Sequence, residues 1–128
     1  MDISIAIDNA AGDTRRVQVS GKLDTHTFAM FDRQVAPLLE ATEIRTLVLD
    51  LEKLTYISSA GVRSVFKARK MLAARSGRLL VVNLQPQIRK VFDIVKAVPV
   101  ADVFASAQEL DDYLDTMQKR VLGQAEED

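Results

Sequence analysis

Two apolar runs limit what this chain can fold into: Thr46-Leu47-Val48-Leu49-Asp50-Leu51 and Leu79-Leu80-Val81-Val82. Neither alternates apolar with polar, as a strand with one wet face does, so each suits a strand covered on both sides in a parallel sheet. Parallel neighbours cannot be joined by a tight turn and need a crossover, usually a helix. The segment between the runs supplies one. From Ser59 to about Arg75, Val62, Val65, Phe66 and Leu72 fall on one face at helical spacing, and Gly77 stands where a left-handed turn closes a helix.

The rest of the chain follows the same alternation. Ile3-Ser4-Ile5-Ala6-Ile7 and Thr14 to Ser20 read as strands, with turn material at Asn9–Asp13 making them a hairpin. Asp24 or Thr25 caps a helix to about Glu40 with Phe28, Phe31, Val35, Leu38 and Leu39 on its inner face. Pro86 opens a short helix carrying Ile88, Val91, Phe92 and Val95. Val98–Phe104 is expected as a last strand, and Ser106 caps a final helix with Leu110, Tyr113, Leu114, Met117 and Val121. The expected order is β-β-α-β-α-β-α-β-α: an α/β fold, one domain over residues 1–122 with a mixed, mostly parallel sheet, then a polar tail at 123–128.

Charge and residue usage exclude several functions. The 17 Lys and Arg residues face 18 Asp and Glu. No cationic surplus exists for nonspecific nucleic-acid binding. Cysteine is absent, which removes disulfides, thiolate nucleophiles and Cys-based zinc sites. The start of the chain has no basic stretch leading into an apolar one, and no apolar run approaches the roughly 20 residues a bilayer demands, so a cytoplasmic protein without membrane contact is expected. His26 has no nucleophile pattern around it, and phosphate-loop and dinucleotide-binding glycine motifs are missing, so neither an enzyme nor a cofactor is implied. Asp111, Asp112 and Asp115 read as a solvated helix face.

Chemistry in parallel α/β sheets collects where strands end and helices begin. At one such junction stands Ser58-Ser59-Ala60-Gly61-Val62-Arg63. One serine suffices to cap a helix. Capping is the ordinary reading of this pair; a second serine, beside a glycine that lets a ligand or partner approach the backbone and free N–H groups that favour a phosphate, raises modification as the alternative. Arg63, four residues after Ser59, is on the face where its guanidinium can pair with a phosphoserine. At the other junction, Asp24 either caps a helix or senses a phosphate on the serine loop by repulsion.

The stretch Leu47–Leu51 through Tyr56-Ile57-Ser58-Ser59-Ala60-Gly61-Val62-Arg63 resembles the STAS domain of bacterial anti-sigma factor antagonists, and Gly21-Lys22-Leu23-Asp24 and Asn83–Ile88 look like that family as well. The resemblance implies partner switching. The unphosphorylated antagonist binds an anti-sigma factor that is also a serine kinase, phosphorylation blocks binding, and a serine phosphatase restores it. The family loop usually reads Asp-Ser-Ser/Thr-Gly; set on Gly61, it makes Ser59 the acceptor, puts Ser58 where the acid stands and leaves Ser58 as second choice. Asp24, Ser58, Ser59, Ala60, Gly61 and Arg63 become the expected partner-binding rim, small and nearly uncharged. A monomer or weak dimer is expected. Two other roles stay open: a STAS subunit of a transporter or lipid-trafficking complex without phosphorylation, and a nucleotide or small-molecule binder.

Overall fold

The computed structural model describes residues 3–97 and 103–127, with the side chains of 124–127 left aside. In chain order the elements are β1 (Ile3–Ala11), β2 (Thr14–Leu23), α1 (Phe28–Glu40), β3 (Thr46–Asp50), β4 (Leu54–Ile57), α2 (Ser59–Ala73), β5 (Arg78–Val82), α3 (Pro86–Ala97) and α4 (Ala107–Glu127). The α/β class with one mixed, mostly parallel sheet agrees with expectation. A short strand, β4, is added inside what reads as a loop. Residues 98–102 of the strand expected at Val98–Phe104 lie outside the described residues. The last helix runs through Gly123 rather than stopping there.

β2 organises the sheet. β1 pairs antiparallel along one edge, while the other edge holds β3 over Thr14–Gln18 and then β4 over Gly21–Leu23, both parallel. β5 pairs β3 on its far side. Gly21, at a left-handed φ of 95°, pairs with Ile3 and Leu54 on opposite edges, and the register shifts immediately after it. A bulge of this kind bends a strand and increases its twist.

Ile3, Val17, Val19, Leu47, Leu49 and Leu79 are buried on one sheet face with Phe31, Val35 and Leu39 of α1 and Val62, Val65, Ala68 and Leu72 of α2. The opposite face is open among the described residues. There Gln18 is exposed, Val48 is half-buried and Leu80 is 39% exposed. Among the described residues the expectation of cover on both faces therefore fails: α1 and α2 lie on the first face, and α3 and α4 pack against β4 and α2 rather than on the second. Burial at the open face comes from polar groups. Asp50 is buried at the end of β3, paired with Arg16 and accepting from Glu52 N–H (3.0 Å) and Asn83 Nδ2 (3.2 Å). Burial alone raises its pKa, but these donors together outweigh it and hold the carboxyl below its ordinary value.

The close of α2 also differs from the sequence reading. Ser76, at φ 62°, takes the left-handed position, while Gly77 donates to Leu72 C=O (2.8 Å) one residue further on. Gly77 is needed for space. A Cβ there would come within 2.6 Å of the Arg45 carbonyl.

Candidate functional site

The site starts with β4, whose two edges are held differently. On one side ordinary ladder bonds tie it to β2, ending with Ser58 N–H on Leu23 C=O (2.9 Å). On the other side no strand is present among the described residues, and two buried glutamines replace it. Gln118 of α4, 1% exposed, accepts from Ile57 N–H (3.1 Å) and donates to Ile57 C=O (2.8 Å). Gln87 of α3 donates to Thr55 C=O (3.2 Å). A primary amide presents one donor side and one acceptor side, so Gln118 imitates the neighbouring peptide that β4 lacks. The strand end that aims α2 is thus held by two helices from later in the chain.

Ser58 takes the N-cap of α2 in extended conformation, and its Oγ accepts from Gly61 N–H at 3.4 Å. Ser59 is the first helical residue. Its N–H, one of the donors a helix start leaves without an internal partner, goes to Asp111 Oδ1 of α4 at 2.8 Å. A carboxylate suits that position, because aligned peptide dipoles make a helix N-terminus positive. Ser58 is 4% exposed and Ser59 9%. Gly61 is buried for an internal reason: a Cβ would meet Leu23 C=O at 2.5 Å and Ile57 Cγ1 at 2.8 Å. It lets α2 lie against the end of β2, so the room expected there for a partner is taken by this chain's own backbone.

Beside the serines, Asp24 belongs to the turn before α1. Its Oδ1 accepts from His26 N–H (2.9 Å), and the single proton of the Thr27 hydroxyl goes to Lys22 C=O (2.9 Å) with Asp24 Oδ1 as the competing acceptor at 3.2 Å. Asp24 therefore shapes a turn, and α1 itself starts at Phe28 behind Thr27, later than the sequence suggests. The bond between Ser58 and Leu23 brings this turn alongside the serine loop. Tyr56 completes the group. Its hydroxyl is pushed up to about 12, first by burial and then by the carboxylates of Asp115, Asp111 and Asp24.

Of the expected residues, Ser58, Ser59 and Asp24 come together, Ala60 is half-buried behind them, Gly61 faces inward, and Arg63 is exposed without an ion pair among the described residues. The rim is not nearly uncharged. Asp111 and Asp115, read as solvated, turn half inward toward Ser59 and Tyr56, and only Asp112 is fully exposed. Asp111, Asp115 and Gln118 escape the sequence reading. Their one signal is spacing: they fall at i, i+4 and i+7 along the flank of the Leu110–Leu114–Met117–Val121 stripe, where a polar residue can reach across to a neighbouring element. Among the described residues no cluster of His, Asp or Glu could hold a metal ion, and no helix is long and apolar enough to cross a membrane.

Comparison with known families decides the assignment, because the model of the STAS domain matches residues 8–110. The chain belongs to the STAS domain family. An anti-sigma F factor antagonist of Paenibacillus polymyxa is 25% identical over 105 residues, 80% of this chain and 89% of that one. BtrV of Bordetella bronchiseptica, provisionally named an anti-sigma factor antagonist, is 34% identical over 87 residues, 66% of this chain and 74% of its own. Among solved structures, the anti-sigma factor antagonist SpoIIAA in its unphosphorylated form superposes with a TM-score of 0.62 at 24% identity, over 71% of this chain and 83% of that one, and shares the fold. Anti-sigma factor antagonists of the STAS family are non-enzymatic regulators.

Proposed function

We propose that this STAS domain is a cytoplasmic anti-sigma factor antagonist that works by partner switching, with Ser59 as the phosphoacceptor. Unphosphorylated, it binds an anti-sigma factor that is also a serine kinase, and so frees a sigma factor. Phosphorylation of Ser59 ends the binding, and a serine phosphatase restores it. The observation that carries this reading is the Ser58-Ser59 start of α2 at the end of β4, in a chain whose named relatives are anti-sigma factor antagonists.

Physical chemistry supports Ser59 over Ser58. The Ser58 hydroxyl is already engaged as a cap and is the more buried of the two. The effect of a phosphate follows from charge. Phosphoserine adds about −1.5 to −2 charges near neutral pH, at a rim that already holds Asp24, Asp111 and Asp115. A partner docking there would have to desolvate that added charge beside three carboxylates, which strongly disfavours a close interface. Arg63, exposed one turn along α2, is the nearest candidate on the same helix to answer a phosphate.

The test is direct. The chain is incubated with ATP and a cognate anti-sigma kinase, and the phosphate is mapped by mass spectrometry. We expect a single site at Ser59, lost in Ser59→Ala and retained in Ser58→Ala. Modification of Ser58 alone, or of neither serine, contradicts the assignment.

A further inference from the structure

Resting on Ser59 as the acceptor, we propose that its phosphorylation is read by α4: the phosphate displaces Asp111 from the start of α2, and the first turns of α4 come away from the site. The starting point is a shared donor. The Ser59 N–H is held by Asp111 Oδ1 at 2.8 Å, across 52 residues of sequence. A phosphate on Ser59 Oγ is tethered to the same residue, and a helix N-terminus draws it toward the same N–H groups. Two anions then compete for one donor, and the more highly charged and covalently fixed one holds the position.

Arg63, exposed one turn along α2, can draw the phosphate from the solvent side, but the groups on the α4 side of Ser59 do not relieve that conflict. Ser59 is 9% exposed, so the phosphate meets protein before it meets bulk water. The nearby groups that raise Tyr56 are the carboxylates of Asp115, Asp111 and Asp24. Lys119 is already paired with Asp115 at 2.9 Å. A like charge brought next to Asp111 with so little screening disfavours the docked arrangement.

α4 is built to yield at this end and hold at the other. Between Ala107 and Tyr113 only Leu110 is buried and Asp111 half-buried; the other five residues are exposed. Further along, Leu114, Met117 and Gln118 are all buried, and Gln118 grips both backbone groups of Ile57. A segment with so few buried residues opens locally at low cost. The hinge therefore falls near Leu114, and the part that moves is the part lying over Ser59. Phosphorylation then alters the α4 face as well as the serine itself, and it opens the rim through which a phosphatase must reach the phosphoserine.

The experiment is hydrogen exchange with mass-spectrometric readout on four full-length proteins: residue 59 as serine or as phosphoserine placed by codon suppression, each with Asp111 or with Asp111→Asn. Asparagine keeps an acceptor for the Ser59 N–H but carries no charge. We expect exchange across Ala107–Tyr113 to rise about tenfold with phosphoserine in the Asp111 background and by about twofold or less in the Asp111→Asn background, while β2 and β3 peptides stay unchanged. An unchanged Ala107–Tyr113 segment, an equal rise in both backgrounds, or a rise shared by β2 and β3 overturns the proposal. Because codon suppression needs no kinase, failure to find Ser59 phosphorylation by a kinase bears on the proposed function and leaves this result standing; loss of partner binding without a change in α4 does the reverse.

Discussion

The two ends of α2 are closed by different means. At the C-terminal end the helix closes on its own backbone: Ser76 turns left-handed and Gly77 N–H returns to Leu72 C=O. At the N-terminal end Ser58 supplies a local cap, but the Ser59 N–H depends on a carboxylate borrowed from α4. A local closure is present whenever the helix is. A borrowed one can be withdrawn while the helix stays folded, so the N-terminal end is the end that can report a chemical change.

Several substitutions sharpen or break this contrast, and the largest effect is expected where the two ends are alike. Each holds a glycine against a backbone carbonyl, Gly61 at 2.5 Å from Leu23 C=O and Gly77 at 2.6 Å from Arg45 C=O, measured to the Cβ each lacks. Carbonyls of strand and loop backbone cannot step aside as a flexible side chain can. Gly61→Ala and Gly77→Ala should each cost about 3 kcal/mol or more, read from the urea midpoint. A neutral result at Gly61 would mean that α2 does not rest on β2 as described.

Next comes the grip on β4. Gln118→Leu keeps the bulk but leaves Ile57 N–H and C=O buried without partners. We expect a loss of about 2 kcal/mol in denaturant unfolding. Smaller effects separate the two ends of α2. Asp111→Ala removes one cap and should cost about 1 kcal/mol, whereas Ser76→Gly relieves a left-handed non-glycine residue and should stabilise by about 1 kcal/mol. Both are measurable by thermal unfolding.

How much of this could be read from the sequence depends on how far each cause lies from its effect. The hairpin, four helices and the strands β3 and β5 are legible because their patterns are local. Ser58, Pro86 and Ser106 obey position rules that need only a few neighbouring residues. β4 is not legible: Leu54-Thr55-Tyr56-Ile57 is short, and its outer edge is completed by Gln87 and Gln118, far along the chain. Apolar content suggests cover on both faces of β5, yet Leu80 is exposed because among the described residues no helix packs on that face, and where helices pack is encoded in no single run. Gly61 stands out in the sequence, but for a different reason than the one the fold gives it. Asp111 looks like any surface acid until α4 is placed.

The smallest expected change is spectroscopic. In a Tyr113→Phe background, Tyr56 should ionise near 12, as burial and the three carboxylates dictate. Asp115→Asn should lower that value only in part, since burial is the larger cause. The sign of the linkage is fixed: the folded state holds the Tyr56 proton more tightly than the ordinary value of 10, so its contribution is complete below about pH 10 and is lost as pH rises toward 12. Ultraviolet titration of the tyrosinate band checks both statements, and an ordinary value in the folded protein would remove the acidic surroundings ascribed to the site.

The most direct measurement is the affinity of the full chain for its cognate anti-sigma factor by calorimetry, with serine or with phosphoserine at position 59. We expect the phosphoserine form to bind about 100-fold more weakly or worse, as uncompensated charge at a desolvated contact requires. Equal affinity of the two forms contradicts the switch at Ser59.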